Sequence, residues 1–188
     1  MTHDTYTNAL AWIRVLRPVI WGGAALLLLA PWLAMRFTDE VVWTGSDFVV
    51  SGAMLLTVCV AFEATTRVTR VPSYLLASMI AIGAAFLMLW ANLAVGIVDE
   101  PDHRANLLFL GVLAVGAIGT GIARLQARGM SYVLVAMALA QMAAGGIAMG
   151  MATQESPAFV LAFTGLYVVA WLSSALLFHK AAKALAAG

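Results

Sequence analysis

Apolar residues arrive in six long blocks, and most polar residues fall in the gaps between them. The blocks run from Val19 to Met35, Phe48 to Thr65, Tyr74 to Val98, Leu107 to Ala123, Tyr132 to Met151 and Ala158 to Phe178. A helix crosses the ~30 Å hydrocarbon core of a bilayer with ~20 apolar residues, and ~17 is the lower limit. Each block reaches that length, so the pattern predicts six transmembrane helices. Pro18, Pro72 and Pro157 stand at the starts of blocks, where a missing N–H is harmless. Pro31 lies inside the first block and predicts a kink or a stop near its outer end. The gaps hold at most about a dozen residues, too few for a soluble domain, so successive helices are expected as antiparallel neighbours. Residues 1–188 are thus read as a single compact transmembrane domain.

Ahead of the first block, Trp12, Ile13 and Leu16 are set against Arg14 and Arg17. The stretch from Tyr6 to Leu16 therefore suits a short amphipathic helix lying on the membrane surface. The fold class expected is all-α: a polytopic membrane bundle of six transmembrane helices, preceded by that short N-terminal helix. The first block is expected to remain as a full span, since no small-residue cleavage site precedes Asp39 and Glu40.

Charge adds an orientation. Arg14, Arg17, Arg67, Arg70, Arg124, Arg128, Lys180 and Lys183 fall in alternate gaps, eight of the ten basic residues; only Arg36 and Arg104 break the pattern. Asp39, Glu40, Asp47, Asp99, Glu100, Asp102 and Glu155 occupy the gaps between. Cytoplasmic loops are rich in Lys and Arg, which places both termini in the cytoplasm. Trp21 and Tyr74 at basic ends, with Trp32 and Trp43 at acidic ends, suit interfacial belts. Trp90 and Trp171 lie deeper and are expected to pack between helices.

Composition agrees. The chain is 63% hydrophobic and 10% charged, against ~45–50% and ~25% for soluble domains. A net charge of +1, with basic residues paired at span ends, suits lipid headgroups and excludes nucleic acid as a partner. Cys59 is the single cysteine and lies within an apolar block, so an intrachain disulfide or a CxxC site is excluded and a buried, inert thiol is expected.

Intramembrane polar groups carry the remaining signal. Glu63 is the one ionisable group well inside a block, about one turn from its basic end, and must be protonated, paired or facing water. Arg67 stands four residues on, correctly placed to pair with it. Gln141 sits mid-block and Asn92 in the outer part of its own; amides there serve as interhelical hydrogen-bonding glue or line a path. On the acidic side Asp99, Glu100, Asp102 and His103 offer oxygen and imidazole donors to a divalent cation, although acids also accumulate wherever Lys and Arg are excluded. Small residues at Gly111, Gly116 and Gly119, and at Gly146 and Gly150, predict close packing of the fourth and fifth helices.

Cofactor readings fail on inventory. His3, His103 and His179 all lie outside the blocks, which removes bis-histidine haem, and both lysines follow the last block, which removes retinal. No cofactor is expected, and with no buried acid–base pair the chain is read as not an enzyme.

The segments Ala34-Met-Arg-Phe-Thr-Asp-Glu40, Trp43-Thr-Gly-Ser-Asp-Phe48, Phe62-Glu-Ala-Thr-Thr-Arg67, Trp90-Ala-Asn-Leu-Ala-Val-Gly-Ile97, Arg104-Ala-Asn-Leu107 and the run from Ala123 to Met130 resemble a group of small bacterial inner-membrane proteins with six transmembrane helices and no assigned activity. The resemblance covers nearly the whole chain. It implies the bacterial cytoplasmic membrane and the same architecture, brings no catalytic residue, and draws attention to Glu63, Asn92 and Asn106.

Two functional readings follow. One is a non-enzymatic accessory or scaffold component of a membrane complex, whose partners are lipid and either further copies of itself or another membrane protein. The other is a small-solute or ion permease using Glu63, Asn92 and Gln141.

Overall fold

The computed structural model describes residues 3–152 and 156–187, with side chains from residue 15 onward. Every regular element among them is helical: α1 (His3–Ala34), α2 (Gly45–Val68), α3 (Pro72–Ala94), α4 (Asn106–Ala123), α5 (Ala127–Met151) and α6 (Pro157–Ala186). All six are long and apolar enough to span a bilayer. The expected all-α bundle of membrane-crossing helices is therefore present, and the chain is an integral membrane protein by helix length and composition. Contacts divide it into two compact units, Met1–Arg70 and Val71–Gly188.

In the first unit, α1 differs from expectation. The N-terminal helix anticipated between Tyr6 and Leu16 runs without a break through Pro18 into the first span, giving one helix of 32 residues. A proline removes one intrahelical bond, and with no turn residues beside it nothing supports a change of direction at Pro18. The surface character expected of that segment rests on side chains outside the described residues. Pro31 acts as a stop within one turn, since α1 ends at Ala34. The apolar window of α1, from Val15 to Ala34, has no buried residue. The Arg36 guanidinium then sits 4.8 Å over the Trp32 ring, a cation–π contact for one of the two basic residues out of pattern. α2 starts with Thr44 as its cap, whose N–H and hydroxyl both donate to the Asp47 carboxylate at 2.7 Å. Cys59 is buried, as expected of an inert thiol.

In the second unit α5 is central. It makes its most extensive contact with α6, then α4, while α6 also packs on α3. Backbones approach closely where glycine allows it. A Cβ on Gly116 would meet Met137 Sδ at 2.7 Å, and one on Gly119 would meet Val133 at 2.7 Å, so the expected pairing of the fourth and fifth helices holds at those two positions. It fails at Gly111, Gly146 and Gly150, which face open space. The glycine that matters on α5 is Gly145, where a Cβ would lie 2.1 Å from Thr164 Oγ1 of α6.

Aromatic residues fill the interior along α6. Phe163, Tyr167 and Trp171 follow one another with centroids 4.6 and 6.0 Å apart, and Trp171 is fully buried. Tyr74, expected at an interface, is instead core: it is 1% exposed, meets Phe178 edge to face at 4.9 Å, and donates its hydroxyl to the Leu125 carbonyl at 2.6 Å. That bond secures a tight α4–α5 connection in which Arg124 and Leu125 both adopt left-handed backbone, with φ of 49° and 59°.

Candidate functional site

Glu63 is partnered from two directions. Arg17 of α1 donates from Nε to Glu63 Oε2 at 3.0 Å and from its terminal nitrogen to Oε1, a bidentate fork that holds both carboxylate oxygens. Arg67, the expected partner one turn along α2, is also in place but at 3.8 Å. The carboxylate side chain is 21% exposed and Arg17 51%, so the pair sits at a partly solvated edge of the unit and joins α1 to α2. Sequence reasoning anticipated Arg67 and missed Arg17, since only the local partner has a fixed spacing.

Asn92 and Asn106 come together, with a single purpose. The third apolar block continues to Val98, yet α3 stops at Ala94, because Gly96 turns at φ +78° and a Cβ there would lie 2.8 Å from the Glu100 carbonyl carbon. The chain then folds around Asn106 at the start of α4. Its Oδ1 accepts the N–H groups of Ile97 and Val98, both at 2.9 Å. Its Nδ2 donates to the carbonyl of Glu100 at 2.8 Å and, at 3.3 Å, to those of Val98 and Pro101. Asn92 Nδ2 completes the arrangement by donating to the Asn106 backbone carbonyl at 2.9 Å. Both amides are buried, and their polar atoms serve the α3–α4 connection.

The same connection carries the acidic candidates. His103 Nε2 lies 3.8 Å from Asp99 Oδ2, while His103 Nδ1 accepts the Ala105 N–H at 3.3 Å. The Asp99 carboxylate is 3% exposed, whereas Glu100 and Asp102 are exposed. Among the described residues no group of three His, Cys, Asp or Glu side chains is arranged to hold a metal ion. In the first unit Asp47 is committed to the α2 cap, and Glu155 lies outside the described residues.

Gln141 stands apart. It is fully buried in α5, and neither amide atom has a hydrogen-bond partner among the described residues. Ser78, Thr164 and Trp171 carry polar atoms in the same condition; of these the sequence drew attention only to Trp171, as a deep aromatic expected to pack between helices. No family model, curated protein or solved structure matches the chain. The site must therefore be read from its own chemistry. The candidates fall into separate arrangements: in the first unit a carboxylate held by arginines, and in the second unit an amide that organises a loop and, on α5, an amide in the interior.

Proposed function

We propose that the chain is a non-enzymatic component of the bacterial cytoplasmic membrane, an accessory or scaffold subunit that contributes helix faces to a membrane assembly. The observation that carries this reading is the engagement of Glu63. Arg17 forks onto both oxygens of the Glu63 carboxylate, with Arg67 beside them, so the group acts as a link between α1 and α2 and its charge is already balanced by arginine. Asn92 and Asn106 are likewise occupied in shaping a connection. What remains is apolar surface. Leu26, Leu27 and Leu29 on α1, and Leu161, Leu166 and Val169 on α6, are more than half exposed and suit lipid or another membrane helix. Cytoplasmic termini are supported by the alternation of basic and acidic gaps.

Crosslinking in native membranes followed by native electrophoresis in mild detergent tests the proposal. A complex containing further copies or a second membrane protein is expected, and a strictly monomeric, partnerless species would overturn it. A reporter fused after Gly188 is expected to be active only on the cytoplasmic side. One observation favours a permease for small neutral solutes as the second reading, namely the buried Gln141 amide without a partner. Solute flux in proteoliposomes that is abolished by Gln141→Leu and untouched by Glu63→Gln would favour that reading over the first.

A further inference from the structure

Four side chains of the second unit bury polar atoms that the packing leaves without partners among the described residues: Ser78 Oγ on α3, the Gln141 amide on α5, and Thr164 Oγ1 and Trp171 Nε1 on α6. Their positions follow from contacts between the helices. Ser131 Oγ donates to the Ala175 carbonyl at 2.9 Å, and Gly145 backs directly onto Thr164, which together fix the antiparallel register of α5 and α6. Gln141 lies one turn before Gly145 on the same face, and therefore opposite the stretch of α6 between Thr164 and Trp171. Thr164 and Trp171 are two turns apart and share a face. At the next turn Ser174 Oγ donates to the Ala77 carbonyl at 2.7 Å, which brings α3 in beside Trp171 with Ser78 adjacent. The four residues thus form one interior seam, about 15 Å long at 1.5 Å per residue from Thr164 to Ser174.

The chemistry of the seam restricts what can occupy it. None of the four groups titrates in the ordinary range, so an ion has no counter-charge there. Trp171 Nε1 only donates, the Gln141 amide donates and accepts, and the hydroxyls do either, so the occupant must be neutral and must both give and accept hydrogen bonds. Mid-helix carbonyls can accept a second bond, as those of Ala175 and Ala77 do from serine hydroxyls, but none takes one from these four groups. Thr164 Oγ1 faces the Gly145 backbone of α5 and lies at one end of the seam.

We propose that this seam binds internal water, with the Gln141 amide as its central ligand, bridging toward Trp171 Nε1 and Ser78 Oγ. Buried waters make about two to four hydrogen bonds each to such stranded groups, at a frequency of roughly one per 27 residues. The site makes the centre of the second unit wet although its lining is fully enclosed, and it gives Gln141, Ser78 and Trp171 a joint role.

Hydroxyl-radical footprinting of the detergent-purified full chain in 18O-labelled water tests the proposal, because radicals formed at a bound water modify side chains that bulk solvent cannot reach. Trp171 is expected to be modified at a rate of the same order as the half-exposed Trp21. Gln141→Leu is expected to reduce modification of Trp171 by at least about fivefold, with Trp21 unchanged. An unmodified Trp171 in the parent chain would overturn the proposal, whatever the variant does. The melting temperature of Gln141→Leu gives a second test by its sign. A ligand of bound water is lost at the expense of stability, so a fall supports the proposal. Replacing a dry, stranded amide with an apolar side chain relieves it, so a rise overturns the proposal. Should Gln141→Leu fail to accumulate, the labelling of Trp171 in the parent chain decides alone.

Discussion

Replacing Asn106 with alanine removes an acceptor that two buried N–H groups, those of Ile97 and Val98, share at 2.9 Å. Each buried donor left without a partner costs ~1–3 kcal/mol. The carbonyls of Glu100, Pro101 and Val98 also lose a donor, but the first two residues are exposed and water replaces it, and the bond to the buried Val98 is long at 3.3 Å. The predicted cost is therefore about 3–5 kcal/mol, a large part of the ~5–15 kcal/mol that folded chains possess. At ~2–4 °C per kcal/mol for a chain of this length, the melting temperature should fall by roughly 6–20 °C. Thermal unfolding in mild detergent reads the shift through the six tryptophans. Asn106→Asp keeps the oxygen that accepts both N–H groups but turns a second acceptor oxygen toward the carbonyls of Val98, Glu100 and Pro101, so it too should melt below the parent. A melting temperature for Asn106→Ala within about 2 °C of the parent would refute the reasoning, because two orphaned donors cannot be that inexpensive.

Other positions allow sharper contrasts. Gly145→Val should destabilise by about 1–3 kcal/mol or more, because its branched carbons enter Thr164, whereas Gly146→Val on the open side of the same helix should be close to neutral; the pair is compared by thermal unfolding. Tyr74→Phe should cost about 1 kcal/mol through loss of the bond to the Leu125 carbonyl, and should raise protease cleavage at the α4–α5 connection. Glu63→Gln should lower stability by no more than about 1 kcal/mol, because Arg17 is half exposed and solvent already weakens the pair; a double-mutant cycle with Arg17→Gln measures the coupling.

The sequence made the helices legible because lipid demands a uniform apolar length, and each block satisfied it. Helix ends were less legible for a physical reason. Val95, Ile97 and Val98 are as apolar as the helix before them, and only Gly96 with the distant Asn106 says that the chain turns there. Helix faces were harder still, since Gly145 and Gly146 are indistinguishable until a neighbour is placed against one of them. In the candidate site, Arg67 was readable from its i,i+4 spacing, while Arg17 lies 46 residues from Glu63 and belongs to another helix. Gln141 could be singled out as a mid-span amide, but its isolation depends on the surfaces of α3 and α6.

α4 is the shortest of the six helices, 18 residues and therefore about 27 Å long. A typical hydrocarbon layer is ~30 Å thick, so acyl chains beside Leu107, Ile118 and Ile122, which are all exposed, must compress by a few ångströms to match it. α6, with 30 residues, imposes no such demand. The second unit thus carries a hydrophobic mismatch on one flank only, and short-chain or loosely ordered lipids should gather there.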